Sequence, residues 1–230
     1  MDIREYAQAF DQVEHDYEDA VAAFGIPFEV TESCPRARRM QTAAMCGCHC
    51  ENGGGSLWRG WISPACLACR TGERTATFFV DLRCARRCYF CFNPNQDHYE
   101  YFLSHRSDIV GELEQAAASG VRFDCLAITG GEPLLHKEQV LAFIVRAKEL
   151  YPGVHVRLYT CGDLLDDACL AALAQAGLDE VRFSIKPEDV ADHDAPVYGR
   201  MTAAVALLPD VMVEMPVIPG SLDQMRLMLS

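Results

Sequence analysis

Three cysteines stand at C-x-x-x-C-x-x-C spacing in Cys84-Ala85-Arg86-Arg87-Cys88-Tyr89-Phe90-Cys91. Thiolates this close together on one loop can wrap a single metal centre. A 4Fe–4S cluster takes four ligands, so three from the chain leave one iron open to a substrate or cofactor. A structural zinc ion would require a fourth thiolate or imidazole nearby. Further along stands Gly130-Gly131-Glu132-Pro133. Its glycines permit close backbone approach to a ligand, and Pro133 removes a donor and bends the chain away. Alone this is only a turn. One strand–helix unit beyond a cysteine triad, it reads as part of the same site. More thiols precede the triad: Cys34, then Cys46, Cys48 and Cys50 around His49, then the Cys66-x-x-Cys69 pair. Cys46, Cys48, Cys50, Cys66 and Cys69 form a candidate auxiliary site for a second iron–sulfur cluster or zinc. Cys66 and Cys69 are its leading pair, because C-x-x-C makes a knuckle that grips one metal. The bland alternative is a set of unused thiols in a loop.

Nine of the twelve cysteines lie between Cys34 and Cys91. Cys125 and Cys169 fall within a predicted strand and helix and read as packing residues. The formal charge of −13 is uneven. Residues 1–33 hold nine acids and one base, whereas residues 34–106 hold ten arginines and five acids. The basic stretch coincides with the thiols, where cations can offset thiolates and sulfides. The acidic field of the whole chain argues against nucleic acid. A 50% hydrophobic composition excludes disorder throughout. No apolar run approaches a membrane span, and the acidic N-terminus does not read as a signal peptide. A cytoplasmic location is expected, where cysteines serve metal or redox work more often than disulfides.

Several elements must position these residues. Residues 2–24 read as an amphipathic helix, with Ile3, Tyr6, Phe10, Val13, Tyr17, Val21 and Phe24 on one face. Residues 28–74 lack a period and read as loop. From Thr75 the pattern alternates. Strands are predicted at Thr75–Leu82, Phe123–Thr129, Val154–Thr160, Val181–Ile185 and Val211–Val217. Helices are predicted at Asp108–Ala118, Lys137–Leu150, Asp166–Ala176 and Arg200–Leu208, with another beginning at Ser221. Strands alternating with helices imply a parallel α/β sheet with right-handed crossovers. The expected division is 1–74, a helix with a cysteine-rich extension, and 75–230, the sheet. The triad and the glycine pair then sit at strand C-termini, where such folds bind ligands.

Taken together, these residues resemble the radical S-adenosylmethionine (SAM) superfamily. The resemblance rests on the triad with Phe90 before its last cysteine, on Gly130-Gly131-Glu132-Pro133, and on Val217-Ile218-Pro219-Gly220 after the fifth strand. It covers about residues 75–220. It implies a partial (βα) barrel with five of the expected strands, plus the cysteine-rich N-terminal extension. It implies a 4Fe–4S cluster on Cys84, Cys88 and Cys91, and SAM contacts from Phe90, Gly130, Gly131, Glu132, Pro133, Ser184, Lys186 and Ile218. Thr160-Cys161-Gly162 resembles the family's T-x-G turn and should line the cavity. The implied chemistry is one-electron cleavage of SAM to methionine and a 5′-deoxyadenosyl radical, which abstracts hydrogen from a substrate. The implied electron donor is of flavodoxin or ferredoxin type. The arrangement is similar to glycyl-radical activases and peptide- or cofactor-modifying enzymes, so a protein glycine, a peptide and a small molecule all remain open as substrate. His193 and Tyr198 are expected on the loop after the fourth strand. Extra clusters in this family usually follow the barrel, so the N-terminal cysteines carry no implied role. A rival reading is a non-catalytic iron–sulfur or zinc-binding interaction protein, a truncated relative. It is motivated by a chain that stops in its fifth crossover helix and leaves a sheet edge for a partner, a second copy or further chain to cover.

Overall fold

The computed structural model describes residues 19, 35–51, 56–69, 72–88, 90–185, 196–216, 220 and 222–228. The helix expected over 2–24 (Asp19 apart), Cys34, Lys186, His193 and Ile218 lie outside them. The chain forms two compact units that divide between Trp61 and Ile62, not at residue 74.

The first unit holds helix α1 (Pro35–Met45) and an antiparallel hairpin of β1 (His49–Glu51) and β2 (Ser56–Trp58). Loop was expected here. The reason for the miss is physical. Helix α1 carries three arginines and little apolar surface, so no apolar stripe marks it. Strands of three residues are too short to show alternation. The hairpin places Cys50 opposite Leu57 and stacks His49 on Trp58 at 5.3 Å between ring centres.

The second unit opens with a short helix, α2 (Pro64–Cys69), which packs against three strands of a parallel sheet. That sheet contains β3 (Thr75–Phe79), β4 (Cys125–Thr129), β5 (His155–Thr160), β6 (Glu180–Ser184) and β7 (Asp210–Glu214), paired in chain order. Crossovers are made by α3 (Tyr99–Phe102) and α4 (Ile109–Ala118), then α5 (Lys137–Leu150), α6 (Asp167–Ala176) and α7 (Pro196–Leu207). Helix α8 (Leu222–Met228) follows β7. Five parallel strands in sequential order are the expected partial (βα) barrel.

Alternation along the strands builds two different faces. Phe78, Leu126, Ile128, Val156, Leu158, Val181 and Phe183 join Ile109, Leu113, Val140, Phe143, Ile144, Leu170 and Leu173 in one apolar core. The intervening residues face the opposite side and are largely polar. Helix starts are fixed by side-chain caps. Asp108 accepts from the Gly111 N–H at 3.1 Å, and Asp166 accepts from the Cys169 N–H at 2.7 Å. Gly177 ends α6 with φ 93°, where a side chain would be strained. Helix α7 begins at Pro196, four residues before its expected start, because proline suits the first turn. Tyr198 therefore lies on α7, packed against the core, rather than on a loop.

Glu180 at the start of β6 is fully buried. It accepts from Ser63 Oγ, His155 Nε2 and Arg182 Nε. Burial disfavours its charge, but the hydrogen bonds from His155, Ser63 and Arg182 hold its carboxyl at about 2. Its folded value lies below the ordinary 4.5, so its contribution is present above pH 4.5 and is lost as pH falls towards 2. Two outcomes are expected in urea unfolding. Asp166→Ala should cost about 1 kcal/mol through the lost cap. Glu180→Gln should cost about 3 kcal/mol at neutral pH, a gap that narrows as pH falls below 4.5.

Candidate functional site

A cavity of about 800 Å³ opens at the C-terminal ends of the strands. The loop after β3 brings Cys84, Cys88, Phe90 and Cys91 to its wall. Cys84 is exposed, and Cys88 and Cys91 are half-buried. Gly130 and Gly131 line it from the end of β4, and Cys161 from the end of β5. The polar faces of β5, β6 and β7 contribute Tyr159, Ser184 and Glu214. Of the residues expected to contact SAM, the fold thus gathers Phe90, Gly130, Gly131 and Ser184 around one space with the triad. A volume in this range holds a nucleoside-sized ligand. None of the described cysteines forms a disulfide.

The glycine pair has a use beyond ligand approach. The Gly131 N–H donates to the Asp81 carbonyl at 2.8 Å, and the Glu132 N–H donates to the Arg83 carbonyl at 2.7 Å. The turn thus lies backbone-to-backbone on the residues that lead into Cys84. A Cβ at Gly131 would stand 2.1 Å from the Arg83 oxygen, and one at Gly130 would stand 2.4 Å from the Asp81 oxygen. Only glycine fits at either position. Asn93 Nδ2 donates to the Gly130 carbonyl at 3.2 Å and closes the contact from the far side of the triad.

Glu132 and Pro133 lie buried behind this surface. The Glu132 carboxylate accepts from Thr160 Oγ1 and the Cys161 N–H, each at 2.8 Å, and from the Leu134 N–H at 3.1 Å. It ties the turn to the end of β5. Burial, with the Glu132 charge beside it, pushes the Cys161 thiol well up, so that the cavity meets a neutral S–H.

Arginines near the triad were read as counter-charges to sulfur. Two of them anchor the loop. Arg86 grips Asp163 with two hydrogen bonds of 2.6 and 2.5 Å, joining the triad loop to the turn after β5. Arg83 Nε donates to the buried Asp81 carboxylate at 2.8 Å, and His136 Nε2 meets the same oxygen at 2.7 Å. These partners, with Tyr159, Glu214 and Asn93, escaped the sequence reading. The signal available was the position of Tyr159 and Glu214 on the polar face of their strands.

The other expected ligands are divided between the two units. Cys46, Cys48 and Cys50 belong to the first unit, and Cys66 and Cys69 to α2 of the second. Among the described residues, His155, Glu180 and Asp210 bring three donor atoms within 4.8 Å at the N-terminal ends of β5, β6 and β7. Glu180 already serves Ser63 and Arg182 there, and the guanidinium supplies the cation.

Gly131→Ala should force the triad loop away. The protein should lose about 3 kcal/mol in urea unfolding and most of its iron uptake on anaerobic reconstitution. Arg86→Ala should cost about 1 kcal/mol, because the pair is partly solvent-screened.

The chain is similar to known proteins over this region. The radical SAM superfamily model matches residues 82–194, which include the triad and the Gly130–Pro133 turn. A Methanocaldococcus jannaschii protein, named a glycyl-radical enzyme activating enzyme, is 26% identical over 170 residues, 69% of this chain and 44% of its own. A Gluconobacter oxydans PqqA peptide cyclase is 34% identical over 125 residues, 54% of this chain and 33% of its own. The structure of Streptococcus suis SuiB bound to its precursor peptide SuiA matches with a TM-score of 0.53 and 13% identity. The match covers 98% of this chain and 49% of SuiB, and it supports the fold alone. The chain thus spans less than half the length of each of these three relatives. It carries a domain of the radical SAM superfamily.

Proposed function

We propose that this chain is the radical-generating core of a SAM-dependent enzyme that removes a hydrogen atom from a peptide or protein substrate. One observation carries the reading: three thiols at cluster spacing, a glycine turn and the polar ends of β5, β6 and β7 open onto one cavity. Cys84, Cys88 and Cys91 hold the 4Fe–4S cluster. Phe90 packs on the adenine, and the backbone of Gly130 and Gly131 receives the amino-acid end of SAM. Glu132 and Pro133 keep that turn in shape. Ser184 makes a polar contact from β6, and Lys186 and Ile218 add theirs from the segments that follow β6 and β7. When bound, cluster and SAM supply one-electron reductive cleavage to a 5′-deoxyadenosyl radical. The chain's own task is to hold both ligands in register and keep water from the reacting atoms. A flavodoxin or ferredoxin type of protein supplies the electron in a reducing cytoplasm. No described helix is long and apolar enough to cross a membrane.

The PqqA cyclase resemblance favours a peptide over a small molecule. The test is anaerobic. Protein reconstituted with iron and sulfide, then given a strong reductant and SAM, should release 5′-deoxyadenosine. Cys88→Ala should reduce release at least about 100-fold, since the cofactor carries the chemistry. Normal iron content with no cleavage under strong reductant would overturn the enzyme reading in favour of a metal-binding interaction protein.

A further inference from the structure

The polar face of the sheet carries two buried cations. Arg157 on β5 is 6% exposed and Arg182 on β6 is 4% exposed. Buried arginines are rare unless paired. Arg182 is paired with carboxylates: it donates to Glu180, and to Glu214 at 2.6 Å. Arg157 meets no carboxylate among the described residues, and its Nε is buried with no acceptor. Its Nη2 donates to Cys69 Sγ at 3.1 Å. Arg182 makes the matching bond, from Nη2 to Cys66 Sγ at 3.2 Å. Each sulfur of the C-x-x-C pair on α2 thus receives an N–H from a different guanidinium. Both residues stay within reach of solvent: Cys69 is exposed and Cys66 is half-buried.

Two sulfurs are too few to close a metal site, and among the described residues no third donor atom joins them. They suffice for a disulfide. Residues three apart on a helix are neighbours, with Cβ atoms about 5–6 Å apart. A disulfide needs about 4 Å. Cys69 is the last residue of α2, so only the end of the helix has to tighten, and a final 3₁₀ turn brings such residues into line. The guanidiniums supply the other requirement. The nucleophile in thiol–disulfide exchange is the thiolate, and an adjacent arginine favours it. A Cys69 thiolate also gives Arg157 the anion it otherwise lacks.

We propose that Cys66 and Cys69 form a redox-active dithiol that exchanges with low-molecular-weight disulfides of the glutathione type. The Cys69 thiolate attacks one sulfur of the disulfide, whose S–S bond breaks and releases one thiolate. Cys66 then loses its proton to solvent and attacks the Cys69 sulfur of the mixed disulfide. The Cys66–Cys69 bond forms and the second thiolate leaves. The two cysteines lose two electrons, and the disulfide is reduced to two thiols. Arg157 and Arg182 are positioning residues that favour the reduced pair. The exchange uses neither the triad nor SAM, so it is independent of the proposed function.

The test equilibrates the full chain anaerobically in buffers of reduced and oxidised glutathione, then alkylates free thiols and digests with trypsin. Residues 60–70 form one tryptic peptide that holds Cys66 and Cys69 and no other cysteine, so the triad does not interfere. That peptide should convert reversibly from two alkylated thiols to a disulfide. Cys66→Ser should halt the reaction at a glutathione mixed disulfide on Cys69. Arg157→Gln should shift the equilibrium about tenfold towards the disulfide, a reduction potential about 30 mV more negative. Arg157→Lys keeps the charge and should shift it less. An equilibrium that both folded Arg157 variants leave unchanged overturns the proposal. So does folded wild-type protein whose peptide stays a dithiol under excess glutathione disulfide, and so does Cys66→Ser protein with no glutathione on Cys69. These last two outcomes decide even where Arg157→Gln does not fold.

Discussion

The site depends on one backbone contact. The turn at Gly130 and Gly131 lies directly on residues 81–83, which lead into the cysteine triad. Two N–H donors bond the carbonyls of Asp81 and Arg83 there, at a separation no side chain tolerates. The triad loop has little regular structure of its own, and three cysteines on a free loop would bind metal at a high entropic cost. The turn removes that cost by giving the loop a fixed surface. Arg86 with Asp163, Arg83 with Asp81, and Asn93 with the Gly130 carbonyl brace it from three further sides. Buried Glu132 then fixes the turn itself to β5.

Below that contact the barrel interior is arranged in layers set by strand alternation. Near the N-terminal ends, Glu180 gathers His155, Ser63 and Arg182. In the middle, Arg157 and Arg182 donate to the sulfurs of α2, and each sets its guanidinium 5.4 Å from the centre of the Tyr159 ring. At the top, Tyr159, Ser184 and Glu214 meet the cavity. The apolar core lies on the other side of the sheet, under the helices. The apolar core and the cavity thus lie on opposite faces of the same five strands.

Much of this was legible in the sequence, and the reasons differ by residue. The triad spacing and the Gly130–Pro133 turn are local, so they can be read without the fold. Helix α5 was found at its true ends because Val140, Phe143, Ile144 and Ala147 keep a regular apolar stripe. Asp166 and Gly177 announce α6 by capping chemistry. The inward layers were not legible. Arginine or glutamate alternating with valine reads as a strand with one face in water, and only closure towards a barrel turns that face into an interior. The resemblance implies that Glu132 contacts SAM, and the structure adds hydrogen bonds to Thr160 and Cys161, which are distant in sequence. Cys125 reads as packing and is buried in the structure, but nothing nearby in sequence reveals Arg157 and Cys69 across the sheet.

The central claim is that the braced triad presents a three-cysteine cluster with one open position facing the cavity. Electron paramagnetic resonance of the reduced, reconstituted protein tests this directly, with and without SAM. The account predicts a cluster signal whose g-values shift when SAM is added, because SAM takes the open position. A cluster signal that SAM leaves unchanged would contradict it.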